Sequence, residues 1–344
     1  MDDFSGYEKM ATSLQKMGLH TEDFSEMEKL QWVVTEKVHG ANFSFVYEKE
    51  ALKFAKRKAY LDWTDDFFGF QLVVNRLEGP VTRMFEALAR NIPGSRHILY
   101  GELFGGQYPH SEVHPVKNIQ AIQTGVYYAP SIEFCAFDIA IVPGNSDSKY
   151  YLDYQTTTGY LEEFGIFHAH PLHIGKFNEV IQFNTRINST IPRLLGLPKL
   201  GENLIEGVVI KPWDQPKGSI LSKRPVFKLK NPEFEEDEKF HEAQKWSYIP
   251  AVGTHSAELS FLIEELKKYL NPNRLASAVS KVGMLDPGNT ERWEEIREEC
   301  LQDIFTDFNE NHGGLLNDLN TDQMDWVRDR IRAAIEKLMI EKTD

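Results

Sequence analysis

The chain has 344 residues, 41% hydrophobic and 12% aromatic, the composition of an ordinary folded protein with room for two cores. Its formal net charge of −14 excludes coating of nucleic acid by bulk positive charge, and no apolar run is long enough to span a membrane. Met1-Asp2-Asp3-Phe4 lacks the basic and apolar regions of a secretory signal, and the acidic start is unlike a transit peptide. Cys135 and Cys300 lie far apart and match no metal spacing, so the expectation is a cytoplasmic or other reducing compartment.

Residues 1–30 mix helical spacing with turn residues and yield no assignment. From Gln31 the pattern is β-rich, and Gln31 to Thr35 reads as a strand running into Thr35-Glu36-Lys37-Val38-His39-Gly40-Ala41-Asn42. Lys37 thus stands at a strand end, in a turn that Gly40 closes, where backbone can approach a phosphate. A lysine held there can be a covalent nucleophile when neighbouring cations or desolvation favour its uncharged form. The K-x-x-G pattern occurs once in the chain and is a weak signal alone. Phe43 to Tyr47 alternates with a period of two, and Ala51 to Arg57 continues the meander. Val73 to Asn91 reads as a helix with Leu77, Val81, Met84, Phe85 and Leu88 on one face.

Ile98 to Gly106 is an apolar strand with Glu102 among glycines, which makes Glu102 a candidate to face a pocket; a plain strand exit is the alternative. Phe134 to Ile141 is a second buried strand containing Asp138, in which Phe137 alone would read as core. His168, His170 and His173 invite a zinc reading, but no cysteine accompanies them and Pro171 breaks their spacing, so a surface loop is expected, as for His110 and His114. Glu206 to Lys211 is a strand with an acid at its start and a lysine at its end. In Val226 to Asn231, Lys228 and Lys230 share one face, which is costly unless an anion or solvent meets them. Bases cluster at Lys53, Lys56, Arg57 and Lys58 and from Lys217 to Lys230, while Glu233 to Glu238 is an acidic block. Beyond it, Ser256 to Leu270, Arg274 to Val282, Thr290 to Phe308 and Thr321 to Ile340 carry helical apolar stripes, with Asn289 and Asn320 as N-caps.

Six segments follow one another in order: E-K-V-H-G-A-N-F (Glu36 to Phe43), A-K-R (Ala55 to Arg57), G-E-L-F-G (Gly101 to Gly105), F-C-A-F-D-I (Phe134 to Ile139), E-G-V-V-I-K-P (Glu206 to Pro212) and V-F-K-L-K-N (Val226 to Asn231). This set resembles the motifs of the covalent nucleotidyltransferases, and more closely those of the RNA ligase 2 family of nick-sealing RNA ligases, over residues 30–232. Asn273-Arg274-Leu275 and Ser280-Lys281-Val282-Gly283 are similar to the helical C-terminal domain of the phage-type members. Nothing after residue 245 reads as the OB barrel of DNA ligases and capping enzymes.

The resemblance implies an α+β fold. Residues 1–240 would form an ATP-grasp-like adenylyltransferase domain of antiparallel sheets with helices, and residues 241–344 an all-helical domain that docks RNA ends. It implies a monomeric ATP-dependent RNA ligase using magnesium or manganese, with no membrane partner. The substrate would be 3′-OH/5′-phosphate nicks in duplex RNA or RNA–DNA hybrids, sealed through lysyl-AMP and AppRNA. Lys37 would carry the AMP, while Lys228 and Lys230 would hold the α-phosphate and favour an uncharged Lys37. Glu206 would bind the divalent metal, Arg57 and Glu102 the ribose or end-phosphate region, and Phe137 would stack on adenine. Glu36, His39 and Asn42 would complete the nucleotide site, with Asp138 in support, and Arg274 and Lys281 would contact RNA. The alternatives are a DNA ligase or GTP-using capping enzyme, and a non-catalytic nucleotide- or RNA-binding module.

Overall fold

The computed structural model describes residues 4, 6–11, 21–144, 148–214, 224–234 and 256–343. The chain divides into two compact units, Met1–Glu233 and Phe234–Asp344. The expected boundary at 240/241, the acidic residues 235–238 and Lys217 lie outside the described residues.

In the first unit, α1 (Thr21–Lys29) precedes β1 (Trp32–Glu36), a helix that the mixed pattern of the opening residues did not disclose. Then come β2 (Ala41–Glu48), β3 (Ala51–Lys56), β4 (Tyr60–Leu61) and α2 (Phe70–Asn91). They are followed by β5 (Arg96–Gly105), β6 (Ile132–Val142), β7 (Tyr150–Tyr151), α3 (Tyr154–Glu163) and β8 (Pro171–Gly175). The short α4 (Phe177–Val180) and α5 (Ile191–Leu194) lead to β9 (Gly207–Pro212) and β10 (Phe227–Lys230). Among the described residues these strands form two antiparallel sheets, ordered β10-β9-β1-β8 and β4-β3-β2-β5-β6-β7.

Each sheet has its own core. Trp32, Val34, Ile205, Val208, Ile210 and Phe227 bury one side of the first sheet against Phe177 and Val180 of α4. On the second sheet, Phe43 and Phe45 pack with Phe134, and Phe43 meets Phe70 of α2 at 5.6 Å. Each such ring contributes roughly 1.5–3 kcal/mol through the area it removes from water. Where a loop was expected around His168 to His173, Pro171–Gly175 pairs with β1 as an edge strand. Proline is tolerated at the first residue of such a strand because its missing N–H is not needed there.

Three local features place the site. The turn at residues 37–40 carries the chain from β1 in one sheet to β2 in the other. Gly40 is required at the crossing because a Cβ there would lie 2.0 Å from the Leu103 carbonyl oxygen. Finally, the β5–β6 pairing slips between Tyr100, opposite Asp138, and Gly101, opposite Ala136, leaving Phe137 as a bulge.

The second unit holds α6 (Ser256–Lys267), α7 (Pro272–Val282), α8 (Thr290–Asn311) and α9 (Thr321–Thr343). Ile296, Cys300 and Ile304 of α8 share a core with Val327, Ile331, Ile335 and Met339 of α9. Asn289 Oδ1 accepts from the Arg292 amide at 3.0 Å, and Asn320 and Gln323 cap one another's backbone amides at 3.0 Å each. Such caps stabilise a helix by about 1 kcal/mol.

Candidate active site

Lys37 leaves β1 just after its last ladder residue, and its amide donates to the Gly207 carbonyl at 3.0 Å. Its ammonium meets Glu206 Oε2 at 2.6 Å. Glu206 opens β9, and the same carboxylate receives His39 Nδ1 at 3.3 Å and Lys230 Nζ at 3.1 Å. Burial works to raise its pKa, but Lys37, Lys230 and His39 overcome that and hold it well below the ordinary carboxylate value. One carboxylate is therefore shared by two lysines and a histidine from two separate stretches of sequence, the turn at residues 37–40 and β10.

Lys230 reaches Glu206 because β10 pairs with β9 in a register that sets Lys230 opposite Gly207 and Lys228 opposite Val209. A Cβ on Gly207 would stand 2.0 Å from the Leu229 carbonyl oxygen, so glycine permits that approach. Asn231 fixes the spacing: its amide donates to the Glu206 carbonyl at 2.8 Å, and Nδ2 donates to the carbonyls of Thr185 at 2.9 Å and Ile205 at 2.8 Å.

Around this centre lie the other expected residues. Glu36 is buried, and its Oε2 accepts from the Thr190 amide at 2.9 Å and the Thr190 hydroxyl at 3.1 Å. Desolvation nevertheless raises its pKa above the ordinary value. Asn42 and Glu102 are cross-strand partners on β2 and β5. Desolvation pushes the Glu102 carboxyl up to about 7, with Lys37 and Arg57 opposing and Glu206 adding to the rise. Glu36 Oε1 and Asn42 Oδ1 are buried without a hydrogen-bond partner among the described residues. Two orphaned acceptors beside a cationic cluster fit a ligand that brings both donors and negative charge, as a nucleotide does.

The bulge turns Phe137 and Asp138 to a second cluster. The Phe137 ring meets Tyr7 edge-on at 5.0 Å, and Tyr7 Oη donates to Asp138 Oδ2 at 2.6 Å. Asp138 Oδ1 faces Lys211 Nζ at 2.9 Å and the Arg224 guanidinium at 2.7 Å. Burial would raise its carboxyl, but Arg224 and Lys211 hold it at about 2. Lys211 also donates to the Phe137 carbonyl at 2.6 Å.

Tyr7, Lys211, Arg224, Asn231 and Tyr128, whose hydroxyl accepts from the His39 amide at 3.0 Å, had no assigned role in the sequence reading. For Lys211 a signal existed. A lysine ending an apolar strand and an acid inside another each need a partner when buried, and here they are each other's. No local pattern marks Tyr7 or Tyr128.

The expectation that Arg274 and Lys281 contact RNA is corrected by the structure. Arg274 is fully buried, with its guanidinium on Asp307 at 2.5 Å and on the Tyr269 carbonyl at 3.3 Å. Lys281 is nearly buried between Glu299, at 3.1 Å, and Asp303. Both hold α7 to the acidic face of α8, so little of either side chain is exposed for a contact with RNA.

Among the described residues no group of three or more His, Cys, Asp or Glu side chains could close around a metal. Glu206, with Glu102 as electrostatic neighbour, instead offers the one or two carboxylates that magnesium uses alongside phosphate oxygens and water. Among the described residues no helix is long and apolar enough to cross a membrane.

RNA-editing ligase 2, mitochondrial, of Trypanosoma brucei brucei is 26% identical over 320 residues, covering 81% of this chain and 76% of that protein. RNA-editing ligase 1, mitochondrial, of the same organism is 30% identical over 244 residues, covering 61% of this chain and 50% of its own length. A structure of Naegleria gruberi RNA ligase with PPi covers 67% of this chain and 58% of that one, at 14% identity and a TM-score of 0.43. The RNA ligase family pattern matches residues 30–230, and the T4 RNA ligase 2 C-terminal pattern residues 253–337. The motifs around Lys37, Glu206 and Lys230 thus lie inside a match spanning more than half the chain, and the chain belongs to the RNA ligase 2 family of RNA ligases.

Proposed function

We propose that this chain is an ATP-dependent RNA ligase that seals 3′-OH/5′-phosphate nicks in duplex RNA or RNA–DNA hybrids, with Lys37 as the covalent carrier of AMP. The observation that carries this reading is the Lys37–Glu206–Lys230–His39 cluster, an amine on a clamped turn beside a second lysine and one buried carboxylate. In the first step Lys37 must release Glu206 and a proton so that its lone pair can attack. The Nζ–P bond to the α-phosphorus of ATP forms, the bond to the bridging oxygen breaks, and pyrophosphate leaves with the electron pair. Lys230, and Lys228 two residues before it on the same strand, offset the charge that gathers on the α-phosphate oxygens. A divalent ion moored at Glu206 would add charge neutralisation along the triphosphate.

The adenylate then passes to a 5′-phosphate with return of the free amine, and a 3′-hydroxyl displaces AMP to close the nick. Each step is an in-line displacement at phosphorus, so the protein mainly positions groups and balances charge. Glu36 Oε1 and Asn42 Oδ1, buried without a hydrogen-bond partner among the described residues, would accept hydrogen bonds from the nucleotide, and Phe137 would supply the stacking face.

The test is incubation with α-labelled ATP and magnesium, followed by ligation of defined nicks. Wild type is expected to retain a covalent AMP label and release pyrophosphate, and Lys37→Ala to lose the label entirely. Label that persists on the alanine variant rejects Lys37 as the carrier. A preference for GTP, or for deoxyribose at the 3′ side of the nick, rejects the RNA ligase reading.

A further inference from the structure

Residues 37–40 belong to neither sheet, since β1 ends at Glu36 and β2 begins at Ala41. Their amides therefore have no ladder partner, and a buried N–H left unmet costs about 1–3 kcal/mol. Two of them find partners from opposite sides. The Lys37 amide donates to the Gly207 carbonyl of β9 at 3.0 Å, and the His39 amide to the Tyr128 hydroxyl at 3.0 Å. Tyr128 lies in the connection between β5 and β6, on the side of the other sheet. The side chains of Lys37 and His39 converge on a single atom, Glu206 Oε2, at 2.6 and 3.3 Å. A rotation of the turn about Val38 would part them, so the convergence depends on both backbone tethers.

We infer that Tyr128 is a positioning residue for the nucleophile: its hydroxyl fixes the turn at His39 and so aims the Lys37 amine and the His39 imidazole at Glu206.

Tyr128 is itself rigidly held. Its ring is buried and packs edge-on against Phe104 at 5.2 Å. Its neighbour Tyr127 is clamped by the buried Asn203, which accepts from the Tyr127 amide at 2.8 Å and donates to the Tyr127 carbonyl at 2.7 Å. Asn203 lies three residues before Glu206, and its own amide donates to Asn188 at 3.0 Å. The clamp that aims the turn thus also borders the segment carrying the carboxylate. Burial pushes the Tyr128 phenol well above its ordinary range, so it stays a neutral hydroxyl.

The inference rests on Lys37 being the AMP carrier, and the experiment separates the two. Single-turnover formation of labelled lysyl-AMP is followed against ATP concentration in the full chain for wild type, Lys37→Ala, Tyr128→Phe and Asn203→Ser. The amplitude reports the active fraction, and a thermal melt is run beside each. Tyr128→Phe keeps the ring and removes the acceptor. Its rate per active site is expected to fall about tenfold, while half-saturating ATP changes by less than about twofold and the amplitude is retained. Asn203→Ser, which loosens the clamp but keeps the phenol, is expected to show a smaller loss in the same parameter. Wild-type rates in both variants, or a loss of amplitude at an unchanged rate per site, overturn the positioning role. Labelled wild type with unlabelled Lys37→Ala confirms the carrier whatever Tyr128→Phe does, and an unlabelled wild type overturns both readings.

Discussion

Glu206 and Asp138 are both buried carboxylates facing several cations, and they are built to opposite ends. The cations on Glu206 each keep an edge to solvent: Lys37 is 18% exposed, His39 19% and Lys230 13%. On Asp138, Lys211 is 4% exposed and is further tied to the Phe137 carbonyl and set over the Tyr154 ring at 5.2 Å. Arg224 is 22% exposed, stacks over Tyr151 at 3.7 Å and donates to the Tyr7 hydroxyl at 3.0 Å. Ion-pair distance alone does not tell them apart, since the shortest contact is 2.6 Å at Glu206 and 2.7 Å at Asp138. Lys211 and Arg224 are each held by a tyrosine ring as well as by the carboxylate. Lys211, closed off from solvent, ties β9 of one sheet to β6 of the other, whereas the basic side chains on Glu206 each keep a solvent edge.

Isosteric swaps that remove the charge test that contrast. The largest expected effect is that of Glu206→Gln, with lysyl-AMP formation slowed by about 100- to 1,000-fold, as when one preorganised polar group is removed from a transition-state site. Its melting temperature is expected to fall far less than that of Asp138→Asn. The asparagine leaves Lys211 and Arg224 without their counter-charge, a loss of about 3–5 kcal/mol when a buried pair is broken. For a unit of this size that lowers the melting temperature on the order of ten degrees. Single-turnover rates and calorimetry on both variants check the ranking, and an Asp138→Asn protein that melts like wild type breaks the contrast.

Smaller effects are expected from pH. The Asp138 carboxyl is held at about 2, below its ordinary 3.8, so its contribution is full above 3.8 and fades as pH falls towards 2. Glu102 has the opposite sign. Raised from 4.5 to about 7, it holds a proton in the folded chain that the unfolded chain has released. Stability is therefore highest below 4.5 and declines as pH rises through 7. Glu102→Gln is expected to flatten that decline in denaturant melts of the ligand-free protein between about pH 5 and 7 while leaving the acid limb in place. An unchanged slope would place the Glu102 titration elsewhere.

Much of the candidate active site was legible in the chain because its signals are local. Lys37 with Gly40, Glu206 at a strand start, and Lys228 with Lys230 on alternate positions each carry their signal within a few residues. The period of two placed the strands around them, and helical spacing placed α7, α8 and α9, the last two with asparagine caps. The β5–β6 bulge was invisible for a physical reason: one unmatched residue inverts the faces of a strand without altering its composition. It is that slip which sends Phe137 and Asp138 together towards Tyr7. Arg274 and Lys281 misled in the opposite direction, because a basic residue on a helix reads as surface until an acidic neighbour such as Asp307 or Asp303 is packed against it.

By itself, then, the sequence pointed to candidate groups, an amine in a turn, a carboxylate at a strand start and a lysine pair on one strand face, and the resemblance to the RNA ligase 2 family supplied their expected roles. Only the tertiary structure decided how they are aimed. Glu206 is 169 residues from Lys37, and the Tyr128 hydroxyl is 89 residues from the amide it holds. Contacts across such separations depend on the crossing of two sheets at residues 37–40, and no periodicity within either strand encodes that crossing.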